Sequence, residues 1–389
     1  MSTVCIHNGT VLAGYARMEN CAILVEDGLI ADVFSERRFE QKRLPTDAVV
    51  LDAQGSWIAP GLIDSHIHGF AGAGTEDLSV DAILAMSKEL GRWGVTAFCP
   101  TIYPMAEGDM LKAIGACVAA MGREEGARVM GVHLEGPFIS QARLGVQRPE
   151  FVRPVDLELM ERLVAAGKGH ITNMTVAPEL KGMRELALYC IKQGIVLQAG
   201  HTDATYENMR EGMQAGILHS THFFNAMSRL HHRDPGAVGA IMIHSELSCE
   251  IIADGHHVHP DLIRLLLRDK PVSKVVLVTD SLKPTEQACG PCIANREEVE
   301  LRDGVFMRKT DDVIAGSALT MIRGLENIVS WGTPIENAIE MASSNPARIL
   351  GLGKRGLLVP GYAADVVVFD GDWKVNACLV DGRFVKNEL

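Results

Sequence analysis

Pro60-Gly61-Leu62-Ile63-Asp64-Ser65-His66-Ile67-His68-Gly69 is the stretch on which the reading of this chain turns. A largely apolar run closes on two histidines one residue apart. Side chains alternate across a strand, so His66 and His68 project to the same side and can share one metal ion. Neutral imidazole is the commonest protein metal ligand, and a glycine-bordered strand end is where a barrel enzyme opens to its substrate. Alone, His-x-His is a weak signal, because paired histidines also close ordinary strands. Its meaning depends on further donors downstream.

Outward from that stretch, the middle of the chain alternates apolar runs with amphipathic helical patterns. Strands are expected to end near His66, Ile102, Glu135, Val176, His201, Phe224, Ala253 and Asp280, with helices over 81–93, 108–121, 155–166 and 260–267 between some of them. Eight β units in about 220 residues predict a (β/α)8 TIM-type barrel. A doubly wound open sheet is the runner-up, but no Gly-x-Gly-x-x-Gly follows the first strand. After Asp280 the sequence reads as a loop leading to helices over 319–329 and 334–341.

The two ends differ from the middle. Val4-Cys5-Ile6-His7 precedes Asn8-Gly9, and Cys21 to Val25 precedes Glu26-Asp27-Gly28, strand runs each followed by a turn signal. Ala364 to Phe369 and Asn376 to Val380, the latter followed by Asp381-Gly382, repeat the pattern near the C-terminus. Residues 1–55 plus 355–389 are therefore expected to build one small β-sandwich domain, and 56–354 the barrel.

With 389 residues, 47% of them hydrophobic, the chain can bury a large core. Its 37 basic and 49 acidic side chains give a net charge of −12, and the absence of a Lys/Arg cluster argues against a nucleic-acid partner. A small anionic substrate stays compatible, since it needs only a local positive pocket. No basic-then-apolar leader opens the sequence, and no apolar run reaches the roughly 18 residues that span a membrane. Nine scattered cysteines suit a reducing cytoplasm better than a disulfide framework.

Five of the eight expected strand ends carry a donor or an acid/base group: His66 and His68 on the first, Glu135 on the third, His201 on the fifth, His222 on the sixth and Asp280 on the eighth. In a barrel these ends converge on one face. Each residue has a dull alternative as a satisfied polar group on the rim, but independent coincidence at five strand ends is hard to sustain. Imidazoles with a carboxylate suit a catalytic divalent ion that keeps a position open for water.

The chain also resembles the N-acetylglucosamine-6-phosphate deacetylases of the amidohydrolase superfamily over nearly its whole length. The resemblance rests on His133-Leu134-Glu135-Gly136-Pro137-Phe138, Ala199 to Ala204, Thr221-His222-Phe223-Phe224-Asn225-Ala226-Met227, Ala253 to Val258, Leu277 to Asp280 and Ala315 to Leu319. It implies that Glu135, His201 and His222 hold the main metal. It also implies that His66 and His68 hold a second ion, with Glu135 as the bridge. One or two ions per subunit fit this set, with zinc preferred and iron compatible.

The implied reaction removes the acetyl group from N-acetylglucosamine 6-phosphate, giving glucosamine 6-phosphate and acetate in amino-sugar catabolism. A bound divalent ion lowers the pKa of water from ~15.7 to about 7. The resulting hydroxide attacks the acetyl carbonyl, which the metal or His257 polarises, while Asp280 carries the proton from water to the leaving nitrogen. By the same resemblance Arg233 contacts the substrate phosphate. Val146, Gln147, Asn225, Ala226, His257, Ile314, Ala315 and Gly316 line the substrate, and a homodimer supplies the arginine across its interface. His133 is expected to orient a ligand or the substrate.

Alternatives stay in view. Another amidohydrolase acting on a different amide or amidine would share the metal and Asp280. A dihydroorotase-like centre would need a lysine on the fourth strand, and Ile171 to Val176 has none. A catalytically dead barrel would be expected to have lost ligands that this chain keeps. Cys289-Gly290-Pro291-Cys292 has the spacing of a redox pair but not the strand-to-helix context of one, and reads as incidental.

Overall fold

Leu62–Ile67, Val95–Ile102, Val132–Glu135, Ile171–Val176, Val196–Ala199, His219–Ser220, Cys249–Ile252 and Val275–Val278 run parallel in chain order around a barrel. This computed structural model describes every residue except Met1, Ser2, Tyr15, Cys289 and Pro291. Leu62 pairs with Val95, His133 with Thr101, Asn173 with Val196 and Cys249 with Val275. The seam between the sixth and seventh strands is held by Ser220 N–H donating to the Ser248 carbonyl at 2.9 Å and Phe223 N–H to that of Glu250 at 2.8 Å. The Asp280 N–H donates to the His66 carbonyl at 2.9 Å, and a parallel bridge joins Ile67 to Ser281, so the eighth strand returns to the first.

Strands covered on both faces read as apolar runs rather than alternations, and Leu62–Ile67, Cys249–Ile252 and Val275–Val278 are buried at every position. Each strand is followed by a helix: Val80–Arg92, Glu107–Ala120, Leu157–Gly167, Met183–Lys192, Tyr206–Gln214, Gly236–Ile243, Pro260–Asp269 and Met321–Ser330. Helix starts fall where side-chain acceptors meet free N–H groups. Ser79, Asp156, Thr205 and Thr320 each accept from the backbone of the third residue on.

Strands from both ends of the chain share one eight-stranded sheet beside the barrel. Val4–Leu12, Arg17–Glu26, Leu29–Ser35, Val49–Asp52 and Trp57–Pro60 precede the barrel, and Val366–Phe369, Val375–Val380 and Arg383–Asn387 follow it. The period-two alternation of Val366–Phe369 shows why the sheet stays attached. Val366 and Val368 enter the core of the β domain with Ile6, Ile23 and Leu379, whereas Val367 and Phe369 join the barrel core. Arg128 adds an ion pair to Asp381 at 2.7 Å.

One region departs from the sequence reading. The stretch after Asp280 is not a plain loop: Ile293–Ala294, Glu297–Arg302, Val305–Arg308 and Ile314–Ser317 form a four-stranded antiparallel sheet. Its turns use left-handed residues, Asn295 and Arg296 at φ 50° and 62° and Asp303 at φ 51° ahead of Gly304, which is the Asp-Gly hairpin signal. The sheet is moored to the barrel rim. Asn295 N–H donates to the Glu76 carboxylate, the Asn295 side-chain amide to the Val146 carbonyl at 3.3 Å, and Arg296 pairs with Asp109 at 2.8 Å.

The redox-like spacing at 289–292 falls partly on Cys289 and Pro291, outside the described residues. No helix among the described residues is long and apolar enough to cross a membrane.

Candidate active site

At the C-terminal mouth of the barrel, the Glu135 carboxylate sits among four imidazoles. Its Oε1 lies 3.1 Å from His222 Nε2, 3.2 Å from His201 Nε2 and 3.4 Å from His66 Nε2. Its Oε2 lies 3.3 Å from His68 Nε2. Asp280 Oδ1 approaches His66 and His68 Nε2 at 3.4 and 3.3 Å. Two groups therefore offer buried donors close enough to hold an ion each: Glu135, His201 and His222, and His66, His68 and Asp280.

The donors are aimed by what holds their far sides. His66 Nδ1 meets Glu250 Oε2 at 2.9 Å, His68 Nδ1 the Thr101 carbonyl at 3.2 Å, and His201 Nδ1 the Arg143 carbonyl at 2.9 Å. An acceptor at Nδ1 keeps the proton there and turns the Nε2 lone pair inward. His68 is further fixed by the Tyr103 ring, stacked at 3.7 Å between centroids and 5° between planes. On the other group, His201 and His222 lie at φ 45° and 23°, a left-handed backbone that directs these side chains from the loops leaving their strands. Gly200, just before His201, leaves no room for a side chain, since a Cβ there would fall 2.8 Å from both Thr175 and Thr221 side-chain atoms.

Electrostatics follow from burial and proximity. Burial pushes the Glu135 carboxyl up, but hydrogen bonds from His201 and His222 and the close imidazoles of His66 and His68 outweigh it and hold the group well below its ordinary range. Asp280 is also lowered: burial opposes its charge, and the His66 charge and the His68 bond overcome that. Burial disfavours a charged His66, yet Glu250 and Asp280 raise it well above its usual value.

These features test whether the donor set fits a divalent metal. His201 and His222 Nε2 lie 3.1 Å apart while both face one carboxylate oxygen, an arrangement hydrogen bonds alone serve poorly. His66 Nε2 is buried with no hydrogen-bond partner. A cation at each group would satisfy these inward-facing nitrogens, and imidazole with carboxylate suits zinc and iron alike. The set fits.

A cavity of about 290 Å³ opens onto this cluster. Of the residues the sequence pointed to, Val146, Gln147, Asn225, Ala226, His257, Ile314 and Ala315 line it. Gly316 is not among its lining residues, and a Cβ there would meet Leu282 at 2.6 Å. Gln147 Nε2 donates to Glu135 Oε2 at 2.5 Å. His257 Nδ1 meets Asp254 Oδ2 at 2.6 Å, and the Asp254 charge raises the imidazole pKa against the opposing effect of burial. Arg233 is not brought to this cavity: it is exposed, in the turn bridged between His231 and Asp234. His133 touches no ligand by hydrogen bond. It is buried between Thr101 and Thr175 at 3.1 and 2.9 Å and packs edge-on against His66 at 4.6 Å.

Sequence reasoning missed Tyr103, Gln198, Asp64 and Glu250. The last two carried a visible signal, since each is a carboxylate inside an otherwise apolar strand. Asp64 is fully buried, accepts from Thr279 Oγ1 at 2.6 Å, and is pushed by burial to a pKa of about 7.

Barrel, site and sequence together define a class: the chain belongs to the amidohydrolase family, whose model matches residues 57–386. It is similar to the N-acetylglucosamine-6-phosphate deacetylase of Vibrio furnissii, at 34% identity over 388 residues, covering 98% of this chain and 94% of that protein. Among solved structures, the N-acetylglucosamine-6-phosphate deacetylase from Pasteurella multocida superposes with a TM-score of 0.92 at 26% identity, covering 99% of this chain and 100% of the other. A point mutant of the N-acetyl-D-glucosamine-6-phosphate deacetylase from Mycobacterium smegmatis, in complex with N-acetyl-D-glucosamine-6-phosphate, gives 0.91 at 28% identity with both chains fully covered.

Proposed function

We propose that this chain is a metal-dependent N-acetylglucosamine-6-phosphate deacetylase, hydrolysing the acetamide to acetate and glucosamine 6-phosphate. The observation that carries the reading is the buried Glu135 carboxylate among four inward-turned imidazoles, with Asp280 beside them, at the floor of a sugar-sized cavity. Glu135, His201 and His222 would hold one divalent ion, and His66 and His68 with Asp280 a second, zinc being the preferred metal. When bound, such an ion supplies Lewis-acid activation of water.

The protein's own groups do the rest. Asp280, ionised at neutral pH, takes a proton from the attacking water and returns it to the amide nitrogen as the C–N bond breaks and the new C–O bond forms. Without that proton the nitrogen leaves very poorly, and acid–base help of this kind is worth roughly 10²–10⁴ in rate. His257, braced by Asp254, donates toward the carbonyl oxygen as negative charge develops there. Asn225, Ala226 and Gln147 position the sugar, and Ile314 and Ala315 bring apolar surface from the hairpin insertion to limit water.

Arg233 stands on an exposed turn outside its own cavity. This supports a homodimer in which it reaches the phosphate of a neighbouring site, where a guanidinium can clamp two oxygens at once. Eight free cysteines among the described residues, most of them buried, suit a reducing cytoplasmic setting.

The test is acetate release, with zinc present, from N-acetylglucosamine 6-phosphate, N-acetylgalactosamine 6-phosphate and unphosphorylated N-acetylglucosamine. Turnover should be fastest on the first and weak on the last. Failure on all three overturns the proposal.

A further inference from the structure

Glu250 belongs to one of the three barrel strands that contribute no metal ligand. It lies inside Cys249–Ile252, is wholly buried, and points into the barrel beneath the metal ligands. Its Oε2 accepts twice: from His66 Nδ1 at 2.9 Å, and from the His222 backbone N–H at 3.1 Å. Its Oε1 accepts from Gln198 Nε2 at 3.1 Å. One carboxylate oxygen thus touches a member of each ligand group, His66 by its ring and His222 by its backbone.

The two contacts differ in consequence. For His66 the bond decides the tautomer. With a carboxylate at Nδ1 the proton stays on that nitrogen, and Nε2, buried and without a hydrogen-bond partner, is left as the donor facing Glu135 and Asp280. An amide in place of the carboxylate can present N–H to Nδ1 and drive the proton to Nε2, the wrong nitrogen for a ligand. For His222 the bond fixes a backbone already in left-handed geometry, and the ring keeps its own approach to Glu135 through the Thr221–Asn225 loop.

Resting on the two-ion reading above, we propose that Glu250 is a positioning residue that makes His66 a ligand, so that the second ion depends on it far more than the ion at Glu135, His201 and His222. Chelated wild-type protein titrated with zinc, then freed of unbound metal and assayed for zinc content, should retain two equivalents. Glu250→Gln should retain one, with the dissociation constant of the other raised about 10- to 100-fold, the usual cost of losing a carboxylate behind a ligating histidine. Glu250→Asp, which keeps the charge, should recover part of the lost affinity. A merely structural role would lower the melting temperature without removing one ion selectively.

Two equivalents bound to Glu250→Gln at wild-type affinity would overturn the proposal. Fewer than two on the wild type would overturn the two-ion reading itself and this inference with it. Should Glu250→Gln fail to fold, 15N spectra of the zinc-loaded wild type decide the matter. They should show the His66 proton on Nδ1, protected from exchange, and a freely exchanging Nδ1 or metal bound through it refutes the assignment.

Discussion

The two ligand groups meet at one carboxylate yet are built by different means. His66 and His68 stand two residues apart at the end of a regular strand, and their geometry follows from strand alternation together with acceptors at Nδ1 from Glu250 and Thr101. His201 and His222 stand on separate strand ends 21 residues apart in sequence, each on left-handed backbone, and are brought to 3.1 Å by the loops that carry them. The histidine pair of one group is set by secondary structure and that of the other by loop conformation. Supporting side chains should therefore govern the first and backbone geometry the second.

The largest effect is expected where the groups join. Glu135→Ala removes the carboxylate common to both and should abolish measurable acetate release and both bound equivalents, while the melting curve stays cooperative. Retention of either ion at wild-type affinity would mean that the groups do not share Glu135. Asp280→Asn separates chemistry from metal: the ion at Glu135, His201 and His222 should remain while kcat falls by roughly 10²–10⁴. Near-normal turnover would remove Asp280 from the proton-transfer role.

Substrate contacts come next in size. Arg233→Ala should raise KM for the phosphorylated sugar about tenfold to a hundredfold, the worth of a charge-assisted bond of roughly 1.5–3 kcal/mol, and leave the unphosphorylated sugar unchanged. Equal effects on both would take Arg233 away from the phosphate.

The smallest effect lies outside both groups, at the mooring of the hairpin insertion. Burial pushes the Glu76 carboxyl to about 7, against the bond it accepts from Asn295 N–H. A carboxyl with a folded pKa above its unfolded value contributes stability that is full below the unfolded pKa and is lost as pH rises through about 7. Thermal stability of the wild type should therefore fall between about pH 5 and 8 more than that of Glu76→Gln, by a few degrees. Parallel pH profiles would place the loss elsewhere.

The comparison also explains what could be read from sequence. The barrel was legible because its strands are short apolar runs at regular intervals, and His66 and His68 because alternation is a local property. That Glu135, His201, His222 and Asp280 converge followed once they were placed at strand ends. The hairpin insertion was missed because its strand Glu297–Arg302 is mostly polar and exposed, so only the Asp303-Gly304 turn marked it. Glu250 and Asp64 stood out as carboxylates inside buried strands, but their roles were missed because their partners lie 184 and 215 residues away in the chain. Arg233 was nameable only by resemblance, since nothing within one chain brings it to the cavity.

The central claim is a hydrolytic centre whose metal rests on Glu135, His201 and His222. It is tested most directly by restoring zinc stepwise to chelated protein while following bound metal and acetate release from N-acetylglucosamine 6-phosphate together. The chelated protein should be inactive, and activity should return with bound zinc in the wild type but not in His201→Ala or His222→Ala. Full activity in the metal-free protein, or its recovery in those variants, would contradict the account.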